Sequence, residues 1–124
     1  MDRVRIQKAM FLFAERSKAP SVEKYSFEPY HYGPFSFAIY PDLAKLERQG
    51  LIQSERKSWT RSPSYSVTQA GVRRAESIRR TVPTPRWELL LHLRNWVMER
   101  TFSQLLRDIY KLYPEYATKS IFSY

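Results

Sequence analysis

Apolar side chains return every three or four residues in five stretches of this chain, and alternate with polar ones in two shorter runs. That pattern predicts a mainly helical protein with a small β-hairpin. A first helix runs from about Arg3 to Arg16 behind Asp2 as its cap. It turns Val4, Ile6, Ala9, Met10, Leu12 and Phe13 inward and Arg3, Arg5, Lys8, Glu15 and Arg16 outward. Ser17 to Ser21 reads as a loop, and Val22 to Tyr25 as a turn of helix. Tyr25 to Tyr32 reads as a short edge strand or an extended connector.

The most informative stretch is Tyr30 to Ile52. Gly33 offers the positive φ a turn needs and Pro34 removes a backbone donor, so the extended segment is expected to stop at Tyr32. A helix over about 36–49 follows, with Ser36 as N-cap and Phe35, Ile39, Leu43 and Leu46 stacked on one face, which Tyr40 extends. Asp42, Lys45, Arg48 and Gln49 lie on the opposite face, where a partner would meet them. Gly50 suits the position after the helix end, and Leu51-Ile52 opens a β-prone run.

Leu51 to Thr60 and Ser64 to Thr68 then read as two strands joined by Arg61-Ser62-Pro63, a hairpin with a basic tip or a solvated loop. Thr68 caps a helix near Gln69 to Thr81 whose apolar side is Val72, Ala75 and Ile78. Val82 to Pro85 is a rigid break. The next helix, about Arg86 to Arg100, has a wide apolar face of Trp87, Leu90, Leu91, Leu93, Trp96 and Val97. Such a face packs on its own domain or on a second copy, with Trp87, Leu91 and Trp96 as the dimer candidates. Thr101 or Ser103 caps a last helix to about Tyr113, and the tail's Ile121, Phe122 and Tyr124 are expected to pack.

Composition narrows the function classes. At 124 residues the chain is long enough for one core, and 43% hydrophobic and 15% aromatic content marks it as globular. No run of about 18 apolar residues exists, so no membrane span is expected. The basic, apolar N-terminus is broken by Lys8 and Glu15 at helical spacing, which reads as a cytoplasmic first helix rather than a leader. Cysteine is absent and the two histidines, His31 and His92, are far apart; no metal or other cofactor is expected. Net charge is +9, of which a net +6 falls between Gln53 and Arg86, making the hairpin and the helix after it the basic end. Such an excess favours a polyanionic partner.

Tyr40, Leu43, Leu46-Glu47, Gly50-Leu51-Ile52, Tyr65-Ser66-Val67-Thr68 and Gly71 follow a Y..L..LE..GLI and Y.(L/V)T..G pattern. This resembles PadR-like and MarR-like winged-helix DNA-binding regulators. Ile6 to Phe13, and Phe27 to Tyr40 around Tyr32-Gly33-Pro34, resemble the first half of the Panacea or SocA-like antitoxin family. The resemblances cover about Arg5 to Gly71. A Pro- and Tyr-rich segment, Glu28 to Pro34, stands where the PadR-like pattern has a second helix.

They imply a winged helix-turn-helix over residues 1–82. Residues 83–124 would be a helical extension packing on it or forming a dimer interface, all one compact unit. The resemblance to the regulators further implies that Lys45, Arg48 and Gln49 face the major groove. From the wing, about 51–68, Arg56, Lys57 and Arg61 would grip phosphates, with Arg73 and Arg74 completing the DNA-binding set. A homodimeric regulator on double-stranded DNA is the first expectation, and an antitoxin or adaptor binding a protein partner the second. Catalysis is not expected: His31 beside Glu28 or Asp42 is the only local acid-base candidate, and neither spacing matches a known mechanism.

Overall fold

The computed structural model describes residues 1–17, 25–57 and 62–122. Among them α1 (Arg3–Ser17) leads to a hairpin of β1 (Glu28–Tyr30) and β2 (Gly33–Phe35), then α2 (Ile39–Arg48). A second hairpin, β3 (Ile52–Glu55) and β4 (Ser64–Val67), precedes α3 (Gln69–Arg79), α4 (Thr84–Met98) and α5 (Phe102–Leu112), and a 3-10 turn over Pro114–Ala117 follows. The protein is mainly helical with two small antiparallel sheets, one more than the sequence pattern predicts. None of these helices is long and apolar enough to cross a membrane.

The core is built around α1. Its Ala9, Phe11, Leu12 and Phe13 meet Leu93 and Val97 of α4 and Leu105, Leu106, Ile109 and Tyr110 of α5 in one buried cluster. Phe11, fully buried, receives the ring edges of Phe27, Tyr113 and Tyr116 at centroid distances of 5.5, 4.9 and 4.8 Å. With α4 on one side and β2 on another, α1 keeps only the partly buried line Ile6, Met10 and Ala14 toward solvent along its middle turns. Two residues expected to point outward therefore do not: Lys8 is buried, and Arg5 donates to the carbonyls of Val97 and Arg100 at 3.2 and 2.7 Å. Arg5 thereby satisfies orphan acceptors at the end of α4. Asp2 caps α1 as expected, accepting the Arg5 N–H at 2.9 Å.

The extended segment does not stop at Tyr32. It reverses through His31-Tyr32 and resumes, with Tyr30 opposite Gly33 and Pro29 opposite Pro34; Gly33 has φ 92°. Tyr110 closes over this turn, leaving a Cβ at residue 33 only 3.2 Å from its ring. The following helix starts at Ile39 rather than Ser36, because the Ser36 backbone is held by α1. Ala38 takes the cap position without a side-chain bond. Phe35 accordingly belongs to β2, and Leu46 stays 37% exposed, so the expected apolar face is only partly covered.

At the other end of α2 the expectation holds. Gly50 has φ 73°, its N–H bonds Glu47 O and the Leu51 N–H bonds Leu46 O, both at 3.0 Å. These paired reversals are a Schellman turn, which only a residue tolerant of positive φ completes cheaply. β3 ends at Glu55, earlier than expected. In register, Ile52 faces Val67 and Glu55 faces Ser64. The N-terminal residue pairs with the outer edge of β4: the Tyr65 N–H bonds Met1 O at 2.8 Å, and the terminal ammonium bonds Tyr65 O at 2.7 Å. Trp59 and Arg61 of the expected hairpin tip lie outside the described residues.

Thr68 caps α3 by accepting the Gly71 N–H at 3.1 Å while its hydroxyl donates to Gly50 O at 2.6 Å, locking α3 to the end of α2. The expected apolar side of α3 is not a buried face: Val72 is 52% and Ile78 44% exposed, and among the described residues the main neighbour of α3 is β4. α4 begins at Thr84, two residues early, with Pro85 in its first turn where a missing N–H costs nothing. Trp87, Leu91 and Trp96 on it are half-buried. Thr101 is the residue that caps α5, in a capping box with Gln104. In the tail, the Ile121 N–H bonds His31 O at 3.0 Å and Phe122 sets its ring against Phe102; Tyr124 lies outside the described residues.

Candidate functional site

Two surfaces carry chemistry, and the sequence pattern anticipates one of them. The unanticipated one begins with Gln7 and Lys8 on α1, each 1% exposed. Gln7 Nε2 donates to Ser36 O at 2.9 Å and its Oε1 accepts the Ser36 N–H at 2.9 Å, while Lys8 Nζ donates to Pro34 O at 3.1 Å. Pro29 and Pro34 face each other between the Tyr30–Gly33 and Glu28–Phe35 pairs, where the ladder asks for no N–H, and Lys8 ties β2 of this hairpin to α1. Burial pushes the Lys8 ammonium down to about 7, against a smaller opposing pull from the Asp2 carboxylate. A sequence signal for Lys8 existed: it stands midway in the row Val4, Lys8, Leu12, an apolar line on one helix face.

Beside this clamp, between α1, the first hairpin and the start of α2, lies a cavity of about 370 Å³. Its walls are mainly aromatic: Tyr30 stands 4.9 Å from Phe35 and 5.5 Å from Phe37, and Phe35 packs edge-on to Phe37 and Tyr40 at 4.5 and 5.4 Å. His31 is exposed and stacks on Tyr30 at 4.3 Å. The Arg3 guanidinium lies 4.7 Å over the Tyr40 ring and donates from Nε to the Tyr65 hydroxyl at 3.2 Å. Burial raises the Tyr40 phenol, and Arg3 opposes the shift. Ser62 lines the same space with a buried hydroxyl that has no hydrogen-bond partner among the described residues.

The anticipated surface is the basic one. Lys45, Arg48 and Gln49 are exposed at the C-terminal half of α2, Arg56 and Lys57 are exposed beyond the end of β3, and Arg73 and Arg74 are exposed on α3. The structure ties these elements together at one corner, through the Gly50 turn, the Thr68 hydroxyl and a bond from Ser54 Oγ to Glu47 Oε2 at 2.7 Å. Arg61 lies outside the described residues. Gly71 permits the close packing: a Cβ there would stand 2.0 Å from Leu51 O and 2.6 Å from Val67 Cγ1.

The residues of the acid-base candidate, His31 and Asp42, have other contacts. Asp42 accepts a hydrogen bond from the Tyr25 hydroxyl, whose proton is held firmly by burial first and by that carboxylate second. His31 stacks its ring face on Tyr30. Among the described residues no group of three or more histidine, cysteine or acidic side chains is placed to hold a metal ion. No family model matches the chain, and neither a curated protein nor a solved structure is significantly similar to it.

Proposed function

We propose that this protein is a double-stranded DNA-binding regulator that reads the major groove with α2 and holds phosphates with the second hairpin, as a winged helix does. The observation that carries this reading is the shared corner: α2 presents Lys45, Arg48 and Gln49 to solvent, and the Schellman turn at Gly50 places the β3–β4 hairpin directly behind them. Arg and Gln make bidentate contacts to purine edges, so Arg48 and Gln49 carry sequence preference. Arg56, Lys57, Arg73 and Arg74 add affinity through phosphates. Dimerisation through the half-buried Trp87, Leu91 and Trp96 of α4 would pair two such surfaces for a two-fold site.

A second reading, an antitoxin or adaptor that binds a protein, is favoured by one observation. Phe37, at the rim of the aromatic cluster, is 55% exposed, as an anchoring side chain at an interface would be.

Fluorescence anisotropy with a random duplex of about 30 base pairs at several salt concentrations separates the two, since each neutralised phosphate contributes roughly −0.9 to the slope of log K against log salt. Expected is micromolar or tighter binding at low salt, a steep slope flattened by Arg56→Ala with Lys57→Ala, and weaker binding by Arg48→Ala. Absence of binding at low salt overturns the regulator reading and directs attention to a protein partner.

A further inference from the structure

The cavity beside α1 combines three features that the DNA-binding reading leaves unused. It has room, about 370 Å³, near the lower end of the range of small-ligand pockets. It has aromatic walls: Phe37 is 55% exposed and meets Tyr30 edge-on at 5.5 Å, and Tyr40 lies under the Arg3 guanidinium. Finally, it has polar groups with spare capacity. Arg3 uses Nε for Tyr65, and its two terminal Nη groups make no hydrogen bond among the described residues. Lys8 uses Nζ on Pro34 O and has further hydrogens to donate, and the buried Ser62 hydroxyl is without a partner among the described residues.

One orphaned buried polar group, Ser62 Oγ, beside an open space is a mark of a missing ligand. An arginine with its Nη edge free suits the planar recognition of a phosphate or carboxylate. Aromatic faces accept any nucleobase, because every base presents a π surface. Two cations on one wall favour a dianion over a monoanion, and a dianion near Lys8 also recovers the charge that burial there disfavours.

We infer that this cavity binds a nucleoside monophosphate, its base stacked on Phe37 with Tyr30 against the base edge and its phosphate on Arg3, with Lys8 and Ser62 behind. The site is independent of the proposed DNA-binding surface, and its test uses no DNA.

Isothermal titration calorimetry of the full chain with AMP and UMP tests it, with adenosine and ribose 5-phosphate as half-ligands and benzoate as a small aryl anion. Both nucleotides are expected to bind with Kd below about 1 mM, and at least about tenfold more tightly than either half or benzoate. Phe37→Ala, at an exposed position, weakens nucleotide binding about fivefold or more, the lower end of one stacked base's contribution. Arg3→Lys, which keeps the charge and loses the fork, weakens it too, while Arg107→Ala on the exposed face of α5 leaves it unchanged. Circular dichroism of each variant confirms the native helix content. No heat at millimolar nucleotide overturns the assignment. So does equal binding of benzoate or ribose 5-phosphate, or equal weakening by Arg107→Ala, the mark of general attraction to a basic chain.

Discussion

The Gln7 carboxamide holds Ser36 on both sides of its backbone, accepting its N–H and donating to its carbonyl, each at 2.9 Å and both buried. The contact anchors to α1 the segment that leaves β2, beyond the end of the β1–β2 ladder. Gln7→Leu keeps the volume and strands the buried Ser36 N–H, at a cost of about 1–3 kcal/mol, while Ser36 O keeps the Ile39 N–H at 3.3 Å. A loss of about 1–3 kcal/mol in urea unfolding is expected, together with faster amide exchange around residues 33–39. A loss under about 1 kcal/mol would show that water replaces the amide.

Lys8 makes stability depend on pH in a defined window. Its folded pKa, about 7, lies below the ordinary value of 10.5, so between these limits the unfolded chain binds the extra proton and stability rises with pH. The slope approaches about 1.4 kcal/mol per pH unit, flat below 7. The phenols of Tyr25, Tyr40 and Tyr116 are raised by burial, so their contribution is present below 10 and is lost as pH rises through it. Denaturant midpoints measured from pH 6 to pH 11 are therefore expected to climb from about 7 toward 10 and then fall. Lys8→Met removes the climb and leaves the fall.

Gly71 has no unusual φ; space alone demands it. Gly71→Ala would place a methyl 2.0 Å from Leu51 O, so α3 must move off the α2 corner. Overpacking of this kind costs about 1–3 kcal/mol. Hydrogen exchange is expected to show protection lost in α3 and the second hairpin while α1, α4 and α5 stay protected. Uniform loss across the molecule would contradict this division.

Thr101 satisfies the Gln104 N–H at 3.2 Å and receives the Gln104 side chain on its own N–H at 3.0 Å. Thr101→Ala is expected to cost about 1 kcal/mol in thermal or chemical unfolding. Ser103→Ala, inside α5, is expected to leave stability unchanged, which separates the two capping candidates in the sequence.

Sequence alone determined what local physics decides: five helices, the Gly50 stop, the Asp2 and Thr68 caps, the second hairpin, and the exposure of Lys45, Arg48 and Gln49. Each follows from spacing or from one residue's backbone freedom, acting within a few positions of itself. Tertiary structure decided the rest. Burial of Gln7 and Lys8 required α4 and the first hairpin to meet on α1 from opposite sides, which no helical period encodes. Ser36 forms a capping motif by itself, yet a partner 29 positions away takes its backbone and moves the start of α2 to Ile39. The apolar side of α3 stayed open because its main neighbour among the described residues, β4, is a strand of four residues. The aromatic cavity gathers side chains from α1, the first hairpin, α2 and Ser62, and long-range packing alone brings those together.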